Sequence, residues 1–385
     1  MDKTRHLIGN YTVALLKSVL NSTNAPQKPS GLTWAQIYDF CKDHNVSAMA
    51  YYAVKELGLN EEDLSGFYED YKKHTLREAR QQLMTERLLR DFEKEKIECM
   101  PIKGFSLKLL YPSENMRYSV DIDMYINGEK ADLADKVMQQ NGFSFHSAEY
   151  EQLIYYKNPI YNYELHTSIV ESGVTGSEYF LSSYERGVPY KNYTYARLMS
   201  NEDLIIHSVV HFYKHFVGEG AGLRFLLDLY LINKKLDFDK EYVKAILCDM
   251  KLYEFYKRMT HLGEIWFGEE KYTPDYEKIA DFIFLNSAFG NFDVGASNRA
   301  NLDKNQKAST AKRIKSHLKW WFLGLDDMKK LYPVLNKMPL LLPFCWIHKG
   351  IKTLIKKPQS IKREKDKLKL SMDIKKVYKL SGLDE

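Results

Sequence analysis

The chain has 385 residues, is 44% hydrophobic and 14% aromatic, and so has room for two or three domains and cannot be a disordered polymer. Its net charge of +5 is unevenly spread: residues 304–385 hold 21 Lys and Arg against 7 Asp and Glu, which leaves −9 on the first 303. Cys41, Cys99, Cys248 and Cys345 lie far apart with no CxxC pair, which argues against a zinc ribbon or a disulfide framework and fits a reducing cytoplasm. The start, MDKTRHLIGNYTVALLKSVL, lacks the apolar core of a signal peptide, and no run reaches the ~18 apolar residues of a transmembrane helix.

Residues 1–60 read as helical, with Thr33 as an N-cap ahead of Trp34 to Phe40. Residues 61–96 are expected as a long helix pair. Leu76, Ala79, Leu83 and Leu88 suggest its apolar stripe, and Arg77, Glu78, Arg80 and Glu86 its charged face. The texture then changes. Ile97 to Ile102 reads as a strand with Pro101 at an edge or strand end. Lys103-Gly104 is a strand-to-helix turn, Phe105 to Tyr111 a short helix, and Pro112 to Asn115 a turn.

Val120 to Ile126 is the next strand, closed by Asn127-Gly128. Glu129 to Asn141 is an amphipathic helix with Ala131, Ala134, Val137 and Met138 on its apolar side and Gly142 as the terminal glycine. Phe143 to Ser147, Leu153 to Lys157 and Tyr161 to Ile169 follow as three strands of a meander. The block 97–170 is therefore a small α/β unit.

Helix returns over 200–260. Asn201-Glu202-Asp203 supplies the capping chemistry, and Gly218, Gly220 and Gly222 part the first helix from the second. His207, His211 and His215 recur at i, i+4, i+8 on one face. They form either a cleft wall that binds metal or substrate, or a partly buried hydrogen-bonded seam. Asp228 is either their orienting carboxylate or a surface residue.

Residues 286–312 are polar and read as loop. Beyond them, basic clusters alternate with Trp320-Trp321-Phe322 and with Leu340 to Trp346. The stretch from Tyr332 to Ile347 is too short and Pro-broken to span a bilayer. With Lys349, Lys352, Lys356 and Lys357 behind it, it either lies in a membrane interface or packs on the helical half. Residues 304–385 thus offer a surface to nucleic acid, an anionic membrane or an acidic partner, or simply a solvated face.

The chemistry concentrates in Val120-Asp121-Ile122-Asp123-Met124-Tyr125-Ile126. Alternation along a strand sends Asp121 and Asp123 to one face and Ile122, Met124 and Ile126 to the other. Two like charges on one face repel unless a cation sits between them, and Mg²⁺ binds through one or two carboxylates plus substrate phosphates. The same alternation puts Asn162, Glu164, His166 and Ser168 on one face of the later strand, with Tyr163, Leu165 and Ile169 opposite. If the two strands are neighbours, Glu164 becomes a third carboxylate. Three carboxylates can then hold two metals that activate a hydroxyl and stabilise a departing pyrophosphate. Lys103 and Arg117 would neutralise phosphate charge, and Gly104 and Ser106 belong to a turn that backbone and helix end could offer to a phosphate.

The order IKGFSLKLLYPSENMRYSVDIDMYI, then helix and turn, then YELHTSIV, resembles the DNA polymerase β-like nucleotidyltransferase superfamily. More narrowly it is similar to a bacterial nucleotidyltransferase family with an lKG…R…DiDlyv…ELH pattern. The resemblance implies that Gly104 is the phosphate-loop glycine, that Asp121 and Asp123 are the metal pair, and that Glu164 is the third acid, which helps deprotonate the attacking hydroxyl. It implies Mg²⁺ or Mn²⁺ as cofactor, an NTP as substrate, and an NMP moved to a hydroxyl-type acceptor with release of pyrophosphate. The usual Gly-Gly or Gly-Ser is replaced by Gly104-Phe105, with Ser106 one place late. His166, His211, His215 and Asp228 would wall the cleft.

The expected architecture is α+β: a small mixed-sheet nucleotidyltransferase core flanked by N-terminal helices and a mostly helical C-terminal half. The expected divisions are 1–96 (helical), 97–195 (core), 196–300 (helices closing the cleft) and 301–385 (basic, aromatic-containing helices). The competing expectation is a non-catalytic module of the same fold that uses the basic C-terminus on nucleic acid or membrane.

Overall fold

The computed structural model describes residues 3–149, 151–158, 161–288, 328, 335, 338, 341–343, 345, 346, 374 and 376–383. The chain forms two compact units, Met1–Asn291 with Val377–Glu385, and Phe292–Lys376. In the second unit Met328, Leu335 and Cys345 are buried, with Leu341, Leu342 and Trp346 packed against them. The polar run from 289, the Trp320-Trp321-Phe322 patch and Lys349, Lys352, Lys356 and Lys357 lie outside the described residues. Among the described residues no helix is long and apolar enough to cross a membrane.

The first unit begins with α1 (Lys3–Leu20), α2 (Trp34–Asp43), α3 (Ser47–Val54) and α4 (Glu61–Lys94). Thr33 caps α2 through a capping box with Gln36, as its sequence predicts. The expected helix pair over 61–96 is one 34-residue helix, capped by Asn60 and opened by Glu61, Glu62 and Asp63. Its buried stripe also differs from expectation. Leu76 and Leu83 are 53% and 73% exposed, and Ala79 is exposed, whereas Phe67, His74, Gln81, Thr85, Leu88, Leu89 and Phe92 are buried. Three of those seven, His74, Gln81 and Thr85, are polar, and each has a partner there. Thr85 Oγ1 is 2.7 Å from the Tyr163 hydroxyl, and His74 stacks on Tyr118 at 4.1 Å between ring centroids. The expected charged face is engaged too: Arg77 donates to the Tyr118 hydroxyl and to Val120 O, and Glu78 accepts from Lys108.

The sheet is built from β1 (Cys99–Pro101), β2 (Ile122–Ile126), β3 (Ser144–Glu149), β4 (Gln152–Lys157) and β5 (Tyr161–His166), in the order β1-β2-β5-β4-β3. Pro101 lies on an edge strand, where a missing N–H costs no ladder bond. Only β2 and β5 run parallel, joined through α6 (Ala131–Gln140) and the β3–β4 hairpin. α5 (Gly104–Leu107) is a single turn after β1. One face of the sheet carries Ile122, Met124, Ile126, Tyr163 and Leu165. It packs under Leu88, Leu89 and Phe92 of α4 and Ala134, Val137 and Met138 of α6. That burial consumes the apolar alternation and leaves Asp123, Glu164 and His166 on the opposite face. β5 ends at His166, so Ile169 is not on its core face as expected.

α7 (Ser183–Arg186) and the short ribbon β6 (Val188–Pro189) and β7 (Arg197–Leu198) lead into the helical half. That half comprises α8 (Asn201–Val217), α9 (Leu223–Lys235), α10 (Lys240–Asp249), α11 (Tyr253–Phe267) and α12 (Glu277–Leu285). Ser200, rather than Asn201, caps α8 by accepting from Asp203 N. The Asp203 side chain is itself buried and bound by Tyr179, Ser183 and Arg186. Gly220 turns the chain at φ +89, where a Cβ would meet Asn286 at 2.2 Å. Asn286, read from sequence as loop, is fully buried and donates to Phe282 O. The structure is therefore α+β, with a five-stranded mixed sheet between helical layers.

Candidate active site

Parallel pairing of β2 with β5 sets Asp123 directly beside Glu164 and Tyr125 beside His166. Side chains two apart on β5 share a face, so Glu164 and His166 both look toward Asp123. His166 Nε2 lies 2.8 Å from Asp123 Oδ1 and 3.8 Å from a Glu164 oxygen. Lys103 donates to the same Asp123 oxygen. Ligand atoms of Asp123, Glu164 and His166 all lie within 4.8 Å of one another. Asp121 stands just before β2, where its charge helps to raise Glu164, and does not belong to that group of three.

The electrostatics of the two buried acids diverge. Burial would raise Asp123, but the Lys103 ammonium, and then the bond and charge of His166, hold it well below the usual carboxylate range. Glu164 moves the other way, up to about 7, through burial and then the charges of Asp123 and Asp121, which outweigh Lys103. The site therefore carries negative charge that the protein's own cations do not neutralise. Lys103 holds its position at φ +51, ψ −115, a positive-φ conformation rare for a lysine and worth about 1–3 kcal/mol of strain.

The turn residues behave differently from expectation. A Cβ on Gly104 would meet Arg117 Nη1 and Ser119 Oγ, each at 2.6 Å, so the close approach that this glycine permits is to Arg117 and Ser119. Ser106 lies half-buried on the single turn α5. Arg117, expected to neutralise phosphate, is buried and committed to Asp228. Its Nε and Nη2 donate to the two carboxylate oxygens at 2.8 and 2.9 Å, and Nη1 donates to Ser119 Oγ at 3.1 Å. Tyr111 donates to the same carboxylate at 2.7 Å. Asp228 is thus neither the orienting group for the histidines nor a surface residue. It clamps α9 to the sheet domain.

The α8 histidines face the same side as His166. A cavity of about 150 Å³ is lined by Lys103, His166, His207, His211, Lys214 and His215, with Ile169 and Val170 among its apolar walls. His211 and His215 lie Nε2 to Nε2 at 3.1 Å, so one donates to the other. Burial, and then Lys103, depress His207 to about 3; burial, and then Lys214 and Lys103, depress His215 to about 4. His211 is pushed well down by burial and by His215. All three are neutral imidazoles near pH 7 and line this cavity.

A family model described as an uncharacterised nucleotidyltransferase matches residues 30–268, well over half of the chain. The chain belongs to this family. The matched span holds Lys103, the β2 and β5 acids, the α8 histidines and Asp228, and it stops before the basic stretch from 304 on. No curated protein and no solved structure gives a match.

The donor set suits a divalent ion. Two carboxylates and one imidazole converge, and Glu164 at about 7 marks charge that a cation would neutralise. Sequence reasoning placed His166 in the cleft wall and missed it as a direct partner of Asp123. Its signal was present, since period-2 alternation puts it on the face of Glu164. Arg224, half-buried on the first turn of α9, was also missed; it donates to Tyr118 O at 2.8 Å.

Proposed function

We propose that this chain moves a nucleoside monophosphate from an NTP to a hydroxyl-type acceptor, releasing pyrophosphate, in the manner of the DNA polymerase β-like superfamily. The observation that carries the reading is the side-by-side placement of Asp123 and Glu164 on parallel neighbours, with an excess of negative charge between them. A Mg²⁺ or Mn²⁺ ion held by Asp123, Glu164 and His166, with Asp121 beside Glu164, would supply positive charge to the reacting phosphate and acidify an acceptor hydroxyl. Glu164, less tightly bound within the protein than Asp123, is the carboxylate that takes the acceptor's proton. His166 and Lys103 hold Asp123 in its rotamer and ionised. The α8 wall excludes water from one side of the reacting group.

The deciding experiment mixes purified protein with labelled NTPs, Mg²⁺ or Mn²⁺, and a cell lysate as a source of acceptors. Nucleotidyl transfer predicts label in an acceptor and stoichiometric pyrophosphate, both lost in Asp123→Asn and Glu164→Gln. A nucleoside diphosphate product instead marks phosphoryl transfer. A second reading, a binding module of the same fold without turnover, draws support from Lys103, whose ammonium already occupies an Asp123 oxygen. It predicts nucleotide binding with neither product.

A further inference from the structure

The cations around the acidic face can be taken one by one among the described residues. Lys103 is held by Asp123, Arg117 by Asp228, Lys108 by Glu78 and Gln82, and Lys214 by Glu171 at 2.9 Å. Arg224 differs from all of them. A guanidinium offers five N–H donors in a planar fork. In Arg224 only Nη1 has a hydrogen-bond partner, the carbonyl of Tyr118, and the buried Nε has none. Among the described residues no carboxylate lies within ion-pair distance of it, Asp228 being taken by Arg117. An unpaired charge in such surroundings is costly unless something supplies the counter-charge.

Its position says what that could be. Burial, and then Arg117, destabilise its charge, while Asp228, Tyr111 and Asp121 favour it. Arg224 thus lies within electrostatic reach of the outer acid of the site. On its other side its charge helps to depress His211 and His215. Phe225 links the two sides, its ring 5.4 and 5.0 Å from those imidazoles. Arg224 also stands in the first turn of α9, which opens at Gly222 with no acidic residue in that turn, its first N–H donating to the neutral His44 imidazole. The positive end of the helix therefore adds to the guanidinium.

We propose that Arg224 holds the polyphosphate tail of the nucleotide, in the place that Arg117 would have filled had Asp228 not claimed it. The inference rests on the nucleotidyl-transfer reading for the identity of the ligand. The remaining Nη donors of the fork, rather than the buried Nε, match two phosphate oxygens, which a lysine at this position would reach only as a point charge.

The test is calorimetric titration with inorganic tripolyphosphate, a probe that needs neither acceptor nor turnover, run beside the pyrophosphate-release assay. Arg224→Gln is expected to weaken tripolyphosphate binding by about ten-fold or more, and Arg224→Lys by a smaller factor. Thermal melts without ligand report whether each variant folds. If Arg224→Gln does not fold, Arg224→Lys decides. Wild-type affinity in the folded variants, or no tripolyphosphate binding by the unaltered protein, overturns the proposal. Loss of binding in the variants, together with no pyrophosphate release by the unaltered protein under any condition, keeps the anion site and sinks the transferase reading.

Discussion

Two buried aspartates, each paired with a basic residue, do opposite jobs in this molecule. Asp228 accepts from Arg117 at both oxygens and from Tyr111, so its charge and lone pairs are met within the protein. Asp123 accepts from Lys103 and His166, but Glu164 beside it stays under-neutralised and is lifted to about 7. A closed network fixes geometry; an open one has chemistry left to offer. On the proposed reading, the contrast puts the chemistry on the sheet face rather than at the α9 clamp.

The largest expected effect separates the two functionally. Asp123→Asn should reduce pyrophosphate release by about 10³-fold, the scale of losing a key electrostatic group, with the fold intact by circular dichroism. Turnover within ten-fold of the unaltered protein would erase the distinction. Asp228→Asn should do the reverse. Leaving the buried Arg117 without its full counter-charge is expected to cost about 3–5 kcal/mol of stability, read by urea unfolding. An unchanged midpoint would show that the clamp is ornamental.

An added ion sharpens the contrast at the next scale. Mn²⁺ at a hundred times its dissociation constant should stabilise the protein by about 2.7 kcal/mol, seen as a rise in melting temperature. EDTA should reverse the rise, Asp123→Asn should abolish it, and a conservative change at the clamp that still folds should leave it in place.

Acid offers a further measurement away from the site. His44 is fully buried, its Nδ1 accepting from Leu223 N at 3.1 Å, and burial lowers it to about 3. Its unfolded value is near 6.5, so its contribution is complete above pH 6.5 and is lost as pH falls toward 3. By pH 5 the loss should be about 2 kcal/mol. The slope of stability against pH over that window should be shallower in His44→Asn, and an identical slope would remove His44 from the account. The smallest contrast lies on α4. Leu83→Ala, at an exposed position, should fall within about 0.5 kcal/mol of the unaltered protein, while Leu88→Ala in the core should cost about 2–5 kcal/mol.

Sequence reasoning reached the sheet and its acids because both obey a local rule. Alternation in β2 and β5 names the inward and outward faces within seven residues, and the Asp-x-Asp run has no ordinary core explanation. The α4 stripe escaped for the opposite reason. His74, Gln81 and Thr85 are buried against Tyr118, Ser119 and Tyr163, partners that lie well along the chain. Arg117 and Asp228 are separated by 111 positions, so nothing local could show that the arginine was already committed. The same pairing hid the special position of Arg224, which stands out only after Lys103, Arg117, Lys108 and Lys214 have each been matched to a carboxylate.

Side-chain direction in a strand flips with every step, so a slip of one residue between β2 and β5 would turn Glu164 inward and set Tyr163 over Asp123. Apolar residues would then face solvent while acids entered the core, a state the chain cannot sustain. A misaligned molecule therefore does not persist as a slightly altered copy: the apolar pattern that buries the sheet also enforces the pairing that sets Asp123 beside Glu164.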